Sequence, residues 1–271
     1  MSAPTDRAPR LDHEWLSRVR AALASADGLI VCLDFDGTLA PIVEDPDDAT
    51  MLPANRRLLR ELVDTPSVTV AVVSGRSLDD LRARVGLTGV HYAGNHGLAF
   101  EGPDGREVVE AAQGATRTLD ATVETLESRL ADVPGCTVED KGLTATVHTR
   151  CVPESAVSTV RETTTAVVDA VDGLECHPGK QIVEVRPAVA VGKDRIVDRL
   201  RERRPGACVL AVGDDITDED AFRAAEPAGF GVLVGDRPTA ASVRVPDPQG
   251  VTLLLGWLVS TCARHPVQPP S

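Results

Sequence analysis

Two aspartates stand two residues apart at the end of an apolar run, in the stretch Gly28-Leu-Ile-Val-Cys-Leu-Asp34-Phe-Asp36-Gly-Thr38-Leu39. The consecutive apolar residues Leu29 to Leu33 predict a strand buried on both faces, as in a parallel sheet. In extended chain, residues i and i+2 point the same way, so Asp34 and Asp36 are expected to share a side, with Phe35 on the other. Two like charges this close repel, unless a cation sits between them or one is protonated. That favours a divalent cation on oxygen ligands, with one carboxylate left for chemistry. Gly37 lets the chain turn, and Thr38 offers a hydroxyl and a backbone N–H. Asp-x-Asp alone could be an acidic loop; Asp-Phe-Asp-Gly-Thr directly after a buried strand is far less common.

Other elements must bring partners to these acids. Residues 1–10 are polar and read as loose, and residues 11–25 predict a helix with Leu11, Trp15 and Val19 inside. Residues 40–52 read as an exposed loop, and Pro53 opens a helix with Leu58, Leu59, Leu62 and Val63 on one face. Residues 68–73 predict a second buried strand, ending in Ser74-Gly75-Arg76. Ser77 and Asp80 mark the next helix start, and His91-Tyr92-Ala93 is a short strand ending in Gly94-Asn95-His96-Gly97. Gly102-Pro103-Asp104-Gly105 is a turn.

The pattern then changes to helix, two strands, helix, two strands, the last pair a hairpin broken at Pro178-Gly179. This predicts an inserted α+β unit over residues 108–187, an antiparallel sheet with helices on one face. Its other sheet face is rich in Thr, His, Arg, Lys and Glu. The first pattern returns afterwards. Lys193 stands at a helix start, and residues 207–212 are a buried strand ending in Gly213-Asp214-Asp215. Asp218 opens another helix, residues 231–234 form a strand, residues 251–259 an apolar helix, and residues 265–271 a Pro-rich tail. The fold class is therefore α/β, a Rossmann-like parallel-sheet core over residues 1–107 and 188–271 with the inserted unit between. Parallel sheets bind ligands at the C-terminal ends of their strands, so these polar strand ends are expected to meet. Lys193 is poorly placed for a helix dipole that favours anions, which points to a role beyond the surface. His91, His148, His177 and His265 read as structural or exposed.

The formal charge of −13 argues against nucleic acid or an anionic membrane as the main partner. An anionic small substrate remains compatible, because a metal and a few cations can reverse the field in one pocket. The six cysteines form no Cys-x-x-Cys pair, and no long apolar span is present, so a reducing cytosol is the expected setting. Several carboxylates, a divalent cation, a hydroxyl and a lysine together suit phosphoryl transfer.

With its motifs in order, Asp34-Phe-Asp36-Gly-Thr38, Ser74, Lys193 and Gly213-Asp214-Asp215, the chain resembles the haloacid dehalogenase-like hydrolase superfamily. Within it, the chain is similar to the trehalose-6-phosphate phosphatases through Ser74-Gly-Arg76, Gly94-Asn95-His96-Gly97, Glu139-Asp-Lys141-Gly, His177-Pro-Gly-Lys180, Glu184-Val-Arg186-Pro187 and Gly213-Asp-Asp-Ile-Thr-Asp218. The resemblance implies a Mg²⁺-dependent phosphatase acting on trehalose 6-phosphate, with a cap made by the insert and a trehalose-phosphate synthase as a candidate partner. It implies that Asp34 is the nucleophile and Asp36 the general acid and base. Asp34 and Asp214 would bind Mg²⁺ by carboxylate and Asp36 by its backbone carbonyl, supported by Asp215 and Asp218. It assigns Ser74, Thr38 and Lys193 to the phosphoryl oxygens. Arg76, Asn95 and His96 would line the substrate pocket from the core, and Glu139, Lys141, Arg150, Lys180 and Glu184 from the cap. A related sugar-phosphate phosphatase or phosphomutase is the alternative within the superfamily, and a non-catalytic binding module the alternative outside it.

Overall fold

A computed structural model of the chain describes residues 7–264 apart from Lys180. His265, the tail and the first six residues lie outside them. The chain runs α1 (His13–Ser25), β1 (Gly28–Asp34), α2 (Pro53–Val63), β2 (Val68–Val73), α3 (Leu78–Val85), β3 (His91–Gly94), β4 (Ala99–Gly102) and β5 (Gly105–Val108). It continues with α4 (Glu110–Leu130), β6 (Thr137–Asp140), β7 (Ala145–His148), α5 (Glu154–Val168), β8 (Leu174–Gly179) and β9 (Ile182–Pro187). It closes with α6 (Asp194–Arg203), β10 (Ala207–Gly213), α7 (Glu219–Ala225), β11 (Gly229–Val234), β12 (Val243–Val245) and α8 (Pro248–Arg264). Two compact units result, residues 107–190 and the remainder.

In the larger unit an eight-stranded sheet has the order β12-β11-β10-β1-β2-β3-β4-β5. The strands from β12 to β3 are mutually parallel, and β4 turns antiparallel to β3. Every residue of β1 is buried. Ile30 and Cys32 join Val209, Ala211, Ile196, Val197, Leu200 and Phe222 in one apolar cluster, which seats α6 and α7 on that face. Leu29, Val31 and Leu33, of the opposite parity, are equally buried. Burial on both faces is what an apolar run without alternation requires. α2 packs on β2 and α8. The Ser77 side chain caps α3 by accepting from the Asp80 N–H, and Gly86 ends the helix in the left-handed region, where a side chain would be strained.

The smaller unit is a four-stranded antiparallel sheet, order β6-β7-β9-β8. Leu119, Val123 and Leu126 of α4 and Val160 and Val168 of α5 bury Val147, Val183 and Val185. The opposite face carries the cross-strand row Glu139, Thr146, Glu184 and His177.

Four local expectations need correction. The β8–β9 hairpin is not broken at Pro178-Gly179: both residues pair with β9, and the chain reverses between Gly179 and Ile182, where Gln181 has φ 61°. Leu11 precedes α1, because Asp12 is the N-cap. Residues 40–52 are not simply an exposed loop, since Ala40, Ala49 and Met51 are buried and residues 46–48 form a 3₁₀ turn. The short strands β4, β5 and β12, the last two at the sheet edges, lie where the sequence predicts no strand. Among the described residues no helix is long and apolar enough to cross a membrane.

Leu126 is fully buried beneath α4. Leu126→Ala is expected to cost about 2–5 kcal/mol, read as a lower urea midpoint than wild type. An unchanged midpoint would mean that α4 is not seated on this sheet.

Candidate active site

Register decides which strand ends meet. Leu33 of β1 pairs with Val212 of β10, so Asp34 and Asp214 leave neighbouring strands at the same edge. Asp34 also pairs with Val73, and Val73 with Ala93, which brings Ser74 and the 94–97 turn to that edge. The Ser74 N–H donates to the Ala93 carbonyl at 2.9 Å, the His96 N–H to the Ser74 carbonyl at 3.0 Å, and the Asn95 N–H to the Arg76 carbonyl at 2.7 Å. Asn95 and His96 have φ of 49° and 57°, which turns the chain sharply. The two loops lie so close that a Cβ on Gly75 would fall 2.4 Å from His96 Nε2.

Lys193, the N-cap residue of α6, is buried, and its Nζ donates to Asp34 Oδ1 at 2.6 Å and Asp218 Oδ1 at 2.7 Å. Asp34, Asp214 and Asp218 offer oxygens that all lie within 4.8 Å of one another. The Asp215 N–H donates to Asp218 Oδ2 at 2.9 Å, which orients that carboxylate. Arg237 donates to the backbone carbonyls of Asp214 and Asp215 and to the buried Glu219, tying the loop down.

Three carboxylates against one ammonium leave excess negative charge in a buried place. Burial pushes the Asp34 carboxyl well above its usual range; Asp218 and Asp214 add to this, and Lys193 opposes it. Burial, then the Asp218 charge, pushes Asp214 up to about 7. For Lys193, burial would lower the pKa, but Asp218 and Asp34 outweigh it and hold the ammonium charged. A hard divalent cation fits this donor set, since it is all oxygen and carries charge that the lysine leaves unbalanced. Four residues after Asp34, Thr38 is fully buried and its Oγ1 has no hydrogen-bond partner among the described residues. A buried hydroxyl in that condition costs free energy until a ligand oxygen meets it.

Asp36 is not a member of this acid cluster. β1 ends at Asp34, so the extended-chain alternation stops there. Instead Arg76 holds the Asp36 carboxylate as a fork, Nε to Oδ2 at 2.7 Å and Nη2 to Oδ1 at 2.8 Å. Arg76 also donates to Asp80 and to the Pro46 carbonyl, and Arg84 donates to Asp80 from the other side. Burial would raise the Asp80 pKa, but Arg84 and Arg76 together hold it below the usual value. Asp80 and Arg84 were not among the site residues read from the sequence, although the four-residue spacing Arg76, Asp80, Arg84 was a visible signal. Glu219 and Arg237 had none, being paired only by the fold.

In the smaller unit, Glu139 Oε2 accepts from His148 Nε2 at 2.9 Å and lies 3.7 Å from Lys141 Nζ. Arg150 donates to Gln181, and Arg186 is paired with Glu184. Lys180 lies outside the described residues.

The trehalose-phosphatase family profile matches residues 32–249. A trehalose-phosphate phosphatase of Mycobacterium marinum is 38% identical over 258 residues, covering 88% of this chain and 65% of that protein. Probable trehalose-phosphate phosphatase 4 of Oryza sativa is 35% identical, covering 88% of this chain and 68% of its own length. The C-terminal domain of the Candida albicans trehalose-6-phosphate phosphatase superposes with a TM-score of 0.77 at 24% identity, over 93% of this chain and 99% of that domain, a likeness of fold. The chain thus spans 65% of the length of the Mycobacterium marinum relative.

The raised pKa of Asp214 sets a sign. In metal-free protein the folded chain keeps a proton that the unfolded chain has released. The stability from this group is present below its unfolded value of about 3.9 and is lost as pH rises through about 7. Between pH 4 and 8 in a chelator, wild type is expected to lose on the order of 2–4 kcal/mol relative to Asp214→Asn, read from urea unfolding. Mg²⁺ should shrink that difference. Parallel pH profiles of the two proteins would contradict it.

Proposed function

Because the chain belongs to the trehalose-phosphatase family, we propose that it hydrolyses trehalose 6-phosphate to trehalose and phosphate, with Mg²⁺, through an aspartyl phosphate on Asp34. The observation that carries this reading is the buried Asp34 carboxylate held by Lys193 beside Asp214 and Asp218, with the unpartnered Thr38 hydroxyl close in sequence. A carboxylate at the end of a rigid strand is a positioned nucleophile, and the surrounding cations and hydroxyls suit the charge that develops on phosphorus.

Asp34 attacks phosphorus as the bond from phosphorus to the sugar oxygen breaks, and Asp36 gives that oxygen its proton. Asp36 then takes a proton from a water that attacks the phosphoryl group, freeing phosphate and restoring Asp34. Lys193 has three N–H groups and spends two on Asp34 and Asp218, so one is left for a phosphoryl oxygen. Thr38 and Ser74 serve the other oxygens. Asp34, Asp214 and the Asp36 carbonyl, with Asp215 and Asp218 in support, would hold Mg²⁺, which would supply charge neutralisation. Arg76, Asn95 and His96 border the site, and Glu139, Lys141, Arg150, Lys180 and Glu184 of the inserted cap read the sugar hydroxyls. Six free cysteines suit a reducing, cytoplasmic setting. A trehalose-phosphate synthase, which supplies this ester, is a candidate partner.

Phosphate release with Mg²⁺ from trehalose 6-phosphate, glucose 6-phosphate and sucrose 6-phosphate tests the reading. The trehalose ester is expected to be turned over best, and Asp34→Asn to lose at least about 10³-fold in kcat/KM. Preference for another ester would keep the chemistry and discard the substrate. Release from none would favour a binding module on the same fold.

A further inference from the structure

The fork on Asp36 belongs to a longer chain of charges. Asp36 is held by Arg76, Arg76 by Asp80, and Asp80 by Arg84, with contacts of 2.7 to 2.9 Å throughout. Both arginines are anchored on backbone. Arg76 Nη2 donates to the Pro46 carbonyl at 2.7 Å, and Arg84 Nη1 donates to the Asp47 and Ala49 carbonyls at 2.9 and 3.0 Å. The Arg76 side chain is only 11% exposed and lies 5.6 Å from the Phe35 ring centroid, so its own position is closely bounded.

We propose that Asp80 and Arg84 are positioning residues for the proton transfers of Asp36, acting through Arg76. The inference rests on the phosphatase reading of the site. A bidentate guanidinium fixes the plane of a carboxylate as well as its place. Each Asp36 oxygen accepts one N–H from the fork and keeps a second lone pair that can carry the proton given to the leaving oxygen or taken from water. Arg76 could swing about its long side chain if nothing held its far side. Asp80 holds that far side on α3, and Arg84 holds Asp80 while it ties down residues 47–49. A proton donor displaced by a fraction of an ångström loses much of its advantage, since proton transfer needs hydrogen-bond reach. Asp80 and Arg84, four residues apart on α3, give the relay a helical support that an isolated surface pair would lack, and Arg76 meets them from just before the helix N-cap.

The leaving group separates this role from a merely structural one. A sugar alkoxide needs a proton to depart, whereas p-nitrophenolate does not. With Mg²⁺, kcat/KM is measured for p-nitrophenyl phosphate and for the best sugar ester of the panel, in wild type, Asp80→Asn and the milder Arg84→Lys. Asp80→Asn is expected to lose about 10-fold on the sugar ester and less than twofold on the aryl ester, with Arg84→Lys between it and wild type. In an Asp36→Asn background, Asp80→Asn should add no further loss on the sugar ester. Equal losses on the two esters, or additive losses in the double variant, would overturn the relay while leaving the phosphatase reading intact. A wild type that releases phosphate from neither ester would overturn both.

Discussion

Lys193 carries an ammonium into a part of the fold with almost no exposure, and it does so between two carboxylates that are equally buried. Each ion would cost several kcal/mol to bury alone, so each depends on the others remaining in place. Their hydrogen bonds are short and nearly saturate one face of the ammonium. Three separate stretches of chain must converge for this to hold: the end of β1, the start of α6 and the turn after β10. Parallel register of β1 with β10 brings the first and third together, and the apolar seat of Ile196, Val197 and Leu200 brings the second.

One tripeptide, Asp34-Phe35-Asp36, feeds two charge systems. Asp34 belongs to the buried cluster with Lys193, Asp214 and Asp218, where negative charge is in excess and an oxygen-liking cation is favoured. Asp36 belongs to the relay of Arg76, Asp80 and Arg84, where cation and anion alternate. Phe35, fully buried, anchors the peptide between them. In the proposed mechanism the nucleophile and the proton carrier need different surroundings, and two residues separated only by Phe35 acquire them because the strand ends between them.

Much was legible from residue types. The strand at 68–73, the α+β insert with its helices on one face, and the meeting of polar strand ends all follow from apolar runs, period-two alternation and turn residues. The acids at this sheet edge follow from the same pattern, since Asp34 and Asp214 directly follow buried apolar runs. The hairpin at 179–182 was misjudged because Pro178 and Gly179 look like a turn, yet cross-strand pairing of Cys176, His177 and Pro178 with β9 carries the strand past them. The short strands β4, β5 and β12 are not legible, because three or four residues without a flanking polar cluster show no usable period.

Local sequence by itself determined the long buried strands, which residues are apolar and which acids end those strands, because these depend on neighbours within a few positions. Only the tertiary structure decided that Asp36 pairs with Arg76 rather than joining Asp34, that Asp218 shares Lys193 with Asp34, and that Glu219 locks Arg237. Those choices are made between groups far apart in the chain. They turn on distances that register and helix seating set, and on burial, which makes an unpaired charge too costly to leave where it stands.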